Sequence, residues 1–288
     1  MQGRGRRGFG VIAVGLLMAL APVPGAHAGA EGLDAAAPPT IVSADLTPDG
    51  FDRYQFGVLP APDAGADRGP TVTLTSTRSN RGANLRTVWW LDGARPTVDQ
   101  ESCVTWTEHS GPIVQAGVAL RVRRVDDHTQ AITVTNNIMW GARNGWNVHL
   151  WNGGGRGELI GQSVLSYSFG SSPLAVPPLP WRLCARVVGT TLEFKAWSLA
   201  LHPGEPAWSD PGFGTSFFLP RGWIYPGQGG WYAGHLQPGD TTVFGALRSA
   251  PLHVGSIAQI AIATHTVADH IKRQVAASLV VGVQPVAV

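Results

Sequence analysis

"WRLCARVVGTTLEFKAWSL", residues 181–199, decides the fold. Its first half sets Trp181, Leu183, Ala185 and Val187 against Arg182, Cys184 and Arg186. Its second half sets Leu192, Phe194 and Ala196 against Glu193, Lys195 and Trp197. A period of two is the signature of a strand with one covered face. Gly189 and Thr190 lie between the halves, so the stretch reads as a β-hairpin. A hairpin with one apolar face has to bury it against another layer, and here that layer is a second sheet.

Working outward, the same pattern returns at spacings near ten residues. Val72 and Leu74 share a face in 71–77, Val104 and Trp106 in 103–108, and Ile132 and Val134 in 131–137. In 117–125 Val118, Leu120 and Val122 are expected inward, with Arg121 and Arg123 outward. In 146–151 Trp146, Val148 and Leu150 read as the core face; Asn147, His149 and Trp151 read as the outer one. The 37 glycines and 22 prolines suit many turns rather than long helices. Residues 266–274 read equally as a short helix, the one candidate, or as a connection between two strands, and 274–283 read as a terminal strand. The expected class is all-β, a two-sheet antiparallel sandwich forming one domain over 46–288.

The chain opens with Arg4, Arg6 and Arg7, then an apolar run, then the small-x-small triplet Ala26-His27-Ala28. That is the pattern of an export signal over 1–28; as a membrane helix the run is short and broken by Pro22 and Pro24. "RRGF" resembles a twin-arginine signal without its preceding Ser or Thr, so both export routes stay open. Residues 29–45 read as a linker. Without 1–28 the chain holds 18 basic and 19 acidic residues, which offers nothing to nucleic acid or to an acidic membrane surface. No transmembrane segment is expected in the mature chain. In an exported protein Cys103 and Cys184 are expected to form one disulfide. Both have the parity opposite to the apolar side chains, so they can meet on one sheet's outer surface.

Around "PWRLCARVVGTTLEFKAWSLALHPGEPAWSD" the chain resembles the concanavalin A-like, laminin-G-like jelly rolls of exported bacterial proteins. Trp181–Leu183, Gly189, Lys195–Trp197 and "GEPAW" (204–208) carry the resemblance. "GGWYAGHLQPGDTTVFGAL" (229–247), with Phe244 and Leu247, resembles the closing strands. The likeness covers roughly 100–248. It implies a jelly roll and says little about activity, because that fold hosts lectins, glycosidases, lyases, peptidases and adhesion modules.

No catalytic residue is assigned. Glycosidases need two carboxylates flanking the sugar bond, and no strand here carries the closely spaced Glu and Asp that such glucanases show. Asp99 and Glu101 are the nearest pair of shared parity. No Gly-x-Ser-x-Gly elbow and no His-x-x-x-His pair occurs. No cofactor is expected; Ca2+ suits jelly-roll loops, but no loop shows a spaced run of Asp and Asn ligands. Of eleven tryptophans, Trp106, Trp146 and Trp181 read as core. Trp151 and Trp197 share faces with polar residues, while Trp140, Trp208, Trp223 and Trp231 fall in or near loops. Exposed indoles stack on sugars. The candidate ligand set is therefore Asn144, Asn147, His149, Trp151 and Trp197, beside the glycine loop 152–157. Three functions fit: a secreted carbohydrate-binding or cell-envelope adhesion module, a structural or protein-interaction domain, and an atypical glycan-active hydrolase or lyase.

Overall fold

The computed structural model describes residues 39–46, 54–59, 70–77, 86–137, 144–153, 156–170 and 175–252. The leader 1–28, Trp140, the candidate helix 266–274 and the terminal strand 274–283 lie outside them.

Fourteen strands are described, with one short helix, α1 (Ser166–Phe169). The strands are β1 (Ile41–Asp45), β2 (Tyr54–Leu59), β3 (Thr71–Ser76), β4 (Arg86–Leu91), β5 (Gln100–His109), β6 (Gln115–Val125) and β7 (His128–Asn136). They continue with β8 (Gly145–Asn152), β9 (Glu158–Val164), β10 (Trp181–Val188), β11 (Thr191–Ser198), β12 (Gly214–Phe218), β13 (Gln228–Gly234) and β14 (Thr241–Pro251). They form two antiparallel seven-stranded sheets. The first runs β1-β4-β13-β6-β7-β8-β9 and the second β12-β11-β10-β5-β14-β3-β2. The chain is an all-β jelly-roll sandwich. β1 begins at Ile41, so the sandwich starts inside the stretch expected as linker. A five-residue edge strand with one fully buried side chain, Ala44, carries too short an alternation to separate from a linker.

The hairpin forms as read. β10 and β11 pair from Trp181↔Ser198 to Val188↔Thr191, and Gly189 takes φ +53° at the first loop position, where a Cβ is costly. The inner faces of both sheets meet in one core. Trp146 lies 6.5 Å from both Trp181 and Phe194, and Trp89 lies 4.7 Å from Trp231. Trp106, Trp146 and Trp181 are buried in this core, and so is Trp231, which sits on β13 rather than in a loop.

One expectation changes in β6. Arg121 is fully buried, not outward. A bulge between Leu120 and Arg123 breaks the alternation of β6, and Arg121 adopts φ +49°. Its guanidinium donates to the carbonyls of Val98 (2.8 Å), Gly189 (2.7 Å) and Trp223, and lies 3.8 Å from Asp99. It thereby ties the hairpin tip, the approach to β5 and the turn at Arg221–Trp223 into one end of the sandwich. Asp99 also accepts from the Gly189 amide at 2.9 Å, while Glu101 pairs with Arg248 at 2.7 Å. The Asp99/Glu101 pair is thus occupied by two separate structural contacts.

Candidate functional site

The expected ligand residues do not form one group. β8 alternates as read: Trp146, Val148 and Leu150 enter the core, while Asn147, His149 and Trp151 face out of the first sheet. Asn144 shares the parity of Trp146 and turns inward. It is buried, and its Nδ2 donates to the Gly170 carbonyl at 3.1 Å. Trp197 belongs to β11 in the second sheet, so the whole sandwich separates it from His149. It packs against the disulfide and Phe213.

Trp151 is on the expected face but is not exposed. It is 2% accessible, and its Nε1 donates to Thr133 Oγ1 at 2.9 Å. A Cβ on Gly157 would come within 2.8 Å of the indole, so the glycine loop lets the chain close over the ring. The Arg86 guanidinium lies 5.3 Å from the ring centroid. β13, β6 and β7 separate β4 from β8, which is about 19 Å across a flat sheet. One arginine cannot span that distance, so the first sheet curls and this face is concave. Trp151 is part of a small apolar cluster on it, with Ala44, Val88, Ala119 and Tyr232.

The rows of this face come from the register. Tyr232, Gly117, Thr135 and Asn147 stand side by side on β13, β6, β7 and β8; Ala119, Thr133 and His149 form the next row. Tyr232 donates to Gln115 Oε1 at 2.7 Å, and Gln115 Nε2 donates to the Asn136 carbonyl at 2.6 Å. Asn147 Oδ1 accepts from Gln162 at 3.0 Å. Thr135 Oγ1 and His149 Nδ1 are buried without a hydrogen-bond partner. Burial, and then the charge of Arg86, hold the His149 imidazole down to about 4. His235, just after β13, is held down to about 4 by burial, Arg86 and His149, so the three groups share one neighbourhood. Arg86, Thr135, Tyr232 and His235 do not stand out in the sequence. Thr133 and Thr135 alternate with Ile132 and Val134, which is the one signal that could have found part of the set.

The outer face of the second sheet is closed. The disulfide forms between Cys103 and Cys184, which face each other across β5 and β10. Arg186 pairs with Glu193 at 2.8 Å, both nearly buried. Lys195 Nζ donates to Glu205 at 2.8 Å and to the Pro206 carbonyl at 2.6 Å. Trp208 lies under both cations, 4.3 Å from Arg186 and 4.5 Å from Lys195. "GEPAW" is therefore a strap over the strand that carries Lys195 and Trp197. Burial lowers the Lys195 ammonium, while Glu205, which burial alone would raise, is held low by Lys195 and Arg248. The lysine side chain is 3% accessible and the carboxylate 44%, so desolvation falls mainly on the lysine.

A cavity of about 210 Å³ opens between the sheets at one end, walled by Trp106, Trp181, Pro177, Pro178 and Leu179. Trp106 Nε1 donates to Thr242 and Trp181 Nε1 to Pro177, and His109, Asn136 and Asn137 add polar groups to the lining. His109 stacks on Trp106 at the mouth, with Nδ1 held by the Gly111 carbonyl. Among the described residues no three His, Cys, Asp or Glu converge as a metal site, and no helix is long and apolar enough to cross a membrane.

No protein-family model matches the chain. No curated protein matches it. Among solved structures it is similar to the exoplasmic/lumenal domain of VIP36 in its Ca2+/Man3GlcNAc-bound form, at 12% identity and TM-score 0.39, over 70% of this chain and 84% of that one. It is similar to a Bacillus subtilis protein of unknown function with a galectin-like fold, at 10% identity and TM-score 0.40, over 70% and 89%. It is also similar to a prokaryotic β-1,3-1,4-glucanase derived from a mouse hindgut metagenome, at 6% identity and TM-score 0.39, over 74% and 100%. Likenesses this distant say nothing about what this chain binds.

Proposed function

We propose that the protein is an extracytoplasmic carbohydrate-binding module whose ligand site is the concave outer face of the first sheet, around Asn147 and His149. The observation that carries this is the pair of buried, unpartnered polar atoms on that face, Thr135 Oγ1 and His149 Nδ1. A buried polar group without a partner costs stability, and a ligand that completes its hydrogen bonds recovers that cost. Asn147 and His149 are half-buried, so they remain within reach of solvent and ligand. The Arg-rich leader and the disulfide support an oxidising, exported setting. Trp151 serves as the floor of the site rather than as a stacking platform.

A glycan array, with calorimetry on each hit, tests the reading. His149→Ala and Asn147→Ala are expected to weaken binding by about 3–10-fold each, the worth of one hydrogen bond. Absence of any glycan ligand returns the chain to a structural or protein-interaction role.

A further inference from the structure

We propose that the concave face of the first sheet takes the carboxylate of an acidic saccharide, with Arg86 as the anion-binding residue. This rests on the glycan reading and specifies its ligand class.

Arg86 is half-buried, and no carboxylate among the described residues pairs with it. Elsewhere each strongly buried cation has one: Arg121 has Asp99, Arg186 has Glu193, and Lys195 has Glu205. A guanidinium removed from water without a counter-charge is costly, and the geometry that recovers the cost is a bidentate oxyanion. The neighbours of Arg86 suit that partner. The Trp151 ring lies under the guanidinium, 5.3 Å from it. The Tyr232 hydroxyl is hydrogen-bonded to Arg86 and has its own proton directed to Gln115, so it holds the cation without adding charge. In register, only Gly117, which has no side chain, stands between Tyr232 on β13 and Thr135 on β7.

Thr135 is 1% accessible, and its unpartnered hydroxyl can donate to an incoming oxyanion. His149 and His235 are neutral at neutral pH and each offers one N–H. The polar groups without partners here are donors or can act as donors, and among the described residues no carboxylate pairs with them. A neutral sugar hydroxyl uses one such donor; a carboxylate uses several and also supplies the charge that Arg86 meets in no partner among the described residues. The end cavity has no arginine or lysine in its lining, so it has no comparable demand for an anion.

The experiment compares two probes on the full chain by calorimetry at low ionic strength: oligogalacturonate and its fully methyl-esterified form. They differ in charge and in little else. The wild type is expected to bind the acid about tenfold or more tighter than the ester. Arg86→Gln is expected to bring that ratio close to one. Thr135→Val is expected to reduce the ratio by about threefold while its melting temperature holds or rises, because an orphaned buried hydroxyl has been removed. A merely structural threonine would lose melting temperature and leave the ratio unchanged. Equal binding of acid and ester, or an Arg86→Gln protein that keeps the preference, overturns the anion site and leaves the glycan reading intact. If neither these probes nor any neutral glycan binds, both readings fall. If acetate competes as well as the oligosaccharide, the site takes plain anions and the saccharide class is overturned.

Discussion

The two outer faces of this sandwich are built from similar residues and end in opposite states. On the second sheet, Arg186, Lys195 and Arg248 each meet a carboxylate, the disulfide closes the centre, and the 204–208 strap covers the strand. On the first sheet, Arg86 meets no carboxylate among the described residues, and Thr135 Oγ1 and His149 Nδ1 are buried without partners; on the second, Trp197 Nε1 is buried without one. A face whose charges are satisfied internally has no use for a ligand. A face that holds donors in place without acceptors bears a cost in the free protein that a ligand can remove. The difference also separates two tryptophans that look alike in sequence, Trp197 and Trp151. Both alternate with polar residues and both are buried, but Trp197 is sealed beneath the strap side while Trp151 underlies the open arginine.

The comparison can be broken most forcefully at the disulfide. It links residues 81 apart, and Cys103→Ala with Cys184→Ala is expected to cost about 4–5 kcal/mol in denaturant unfolding, with glycan binding retained in whatever protein remains folded. Loss of binding at full stability would mean that the second face takes part in recognition. Next in size, Trp151→Ala is expected to cost about 3–5 kcal/mol, as a buried indole should. A loss below about 1 kcal/mol would show that the ring is exposed and restore it as a stacking surface.

Smallest per pH unit is the pH dependence of stability, and the two faces fall in different windows. His149 and His235 sit near pKa 4 when folded, below about 6.5 for the unfolded chain, so the unfolded chain takes up protons first. Their contribution is complete above about pH 6.5 and is lost progressively down to about pH 4, at no more than about 1.4 kcal/mol per pH unit for each group. Glu205 is held below the ordinary carboxylate range, so its contribution is present above about pH 4.3 and is lost only below that. Melting temperatures across pH 7 to 3 should show two stages, and His149→Gln with His235→Gln should flatten the first alone.

Much of the fold was legible because period two survives wherever one face is buried. The hairpin 181–199, the two faces of β8 and the opposed cysteines all rest on parity, and parity depends only on neighbours in the chain. β1, β2, β9 and β12 escape such a reading because edge strands are short and half-exposed, so alternation has little to mark. Arg121 reads as outward in sequence because a bulge that inverts parity within β6 leaves no mark on the pattern of residue types. The site was legible only as one strand. Asn147, His149 and Trp151 share β8, whereas Arg86, Thr135 and His235 join them from β4, β7 and the end of β13, through pairings that local sequence does not encode. Exposure was the weaker inference: a residue facing away from the main core can still be covered, as Trp151 and Trp197 both are.

The most direct test is a nuclear magnetic resonance titration of the isotope-labelled protein with the acidic oligosaccharide. The shifts are expected to centre on Arg86, Thr133, Thr135, Asn147, His149 and His235. Shifts confined to Trp106, His109 and Trp181 at the end cavity, or to the 204–208 strap, would contradict the assignment of ligand binding to the concave face.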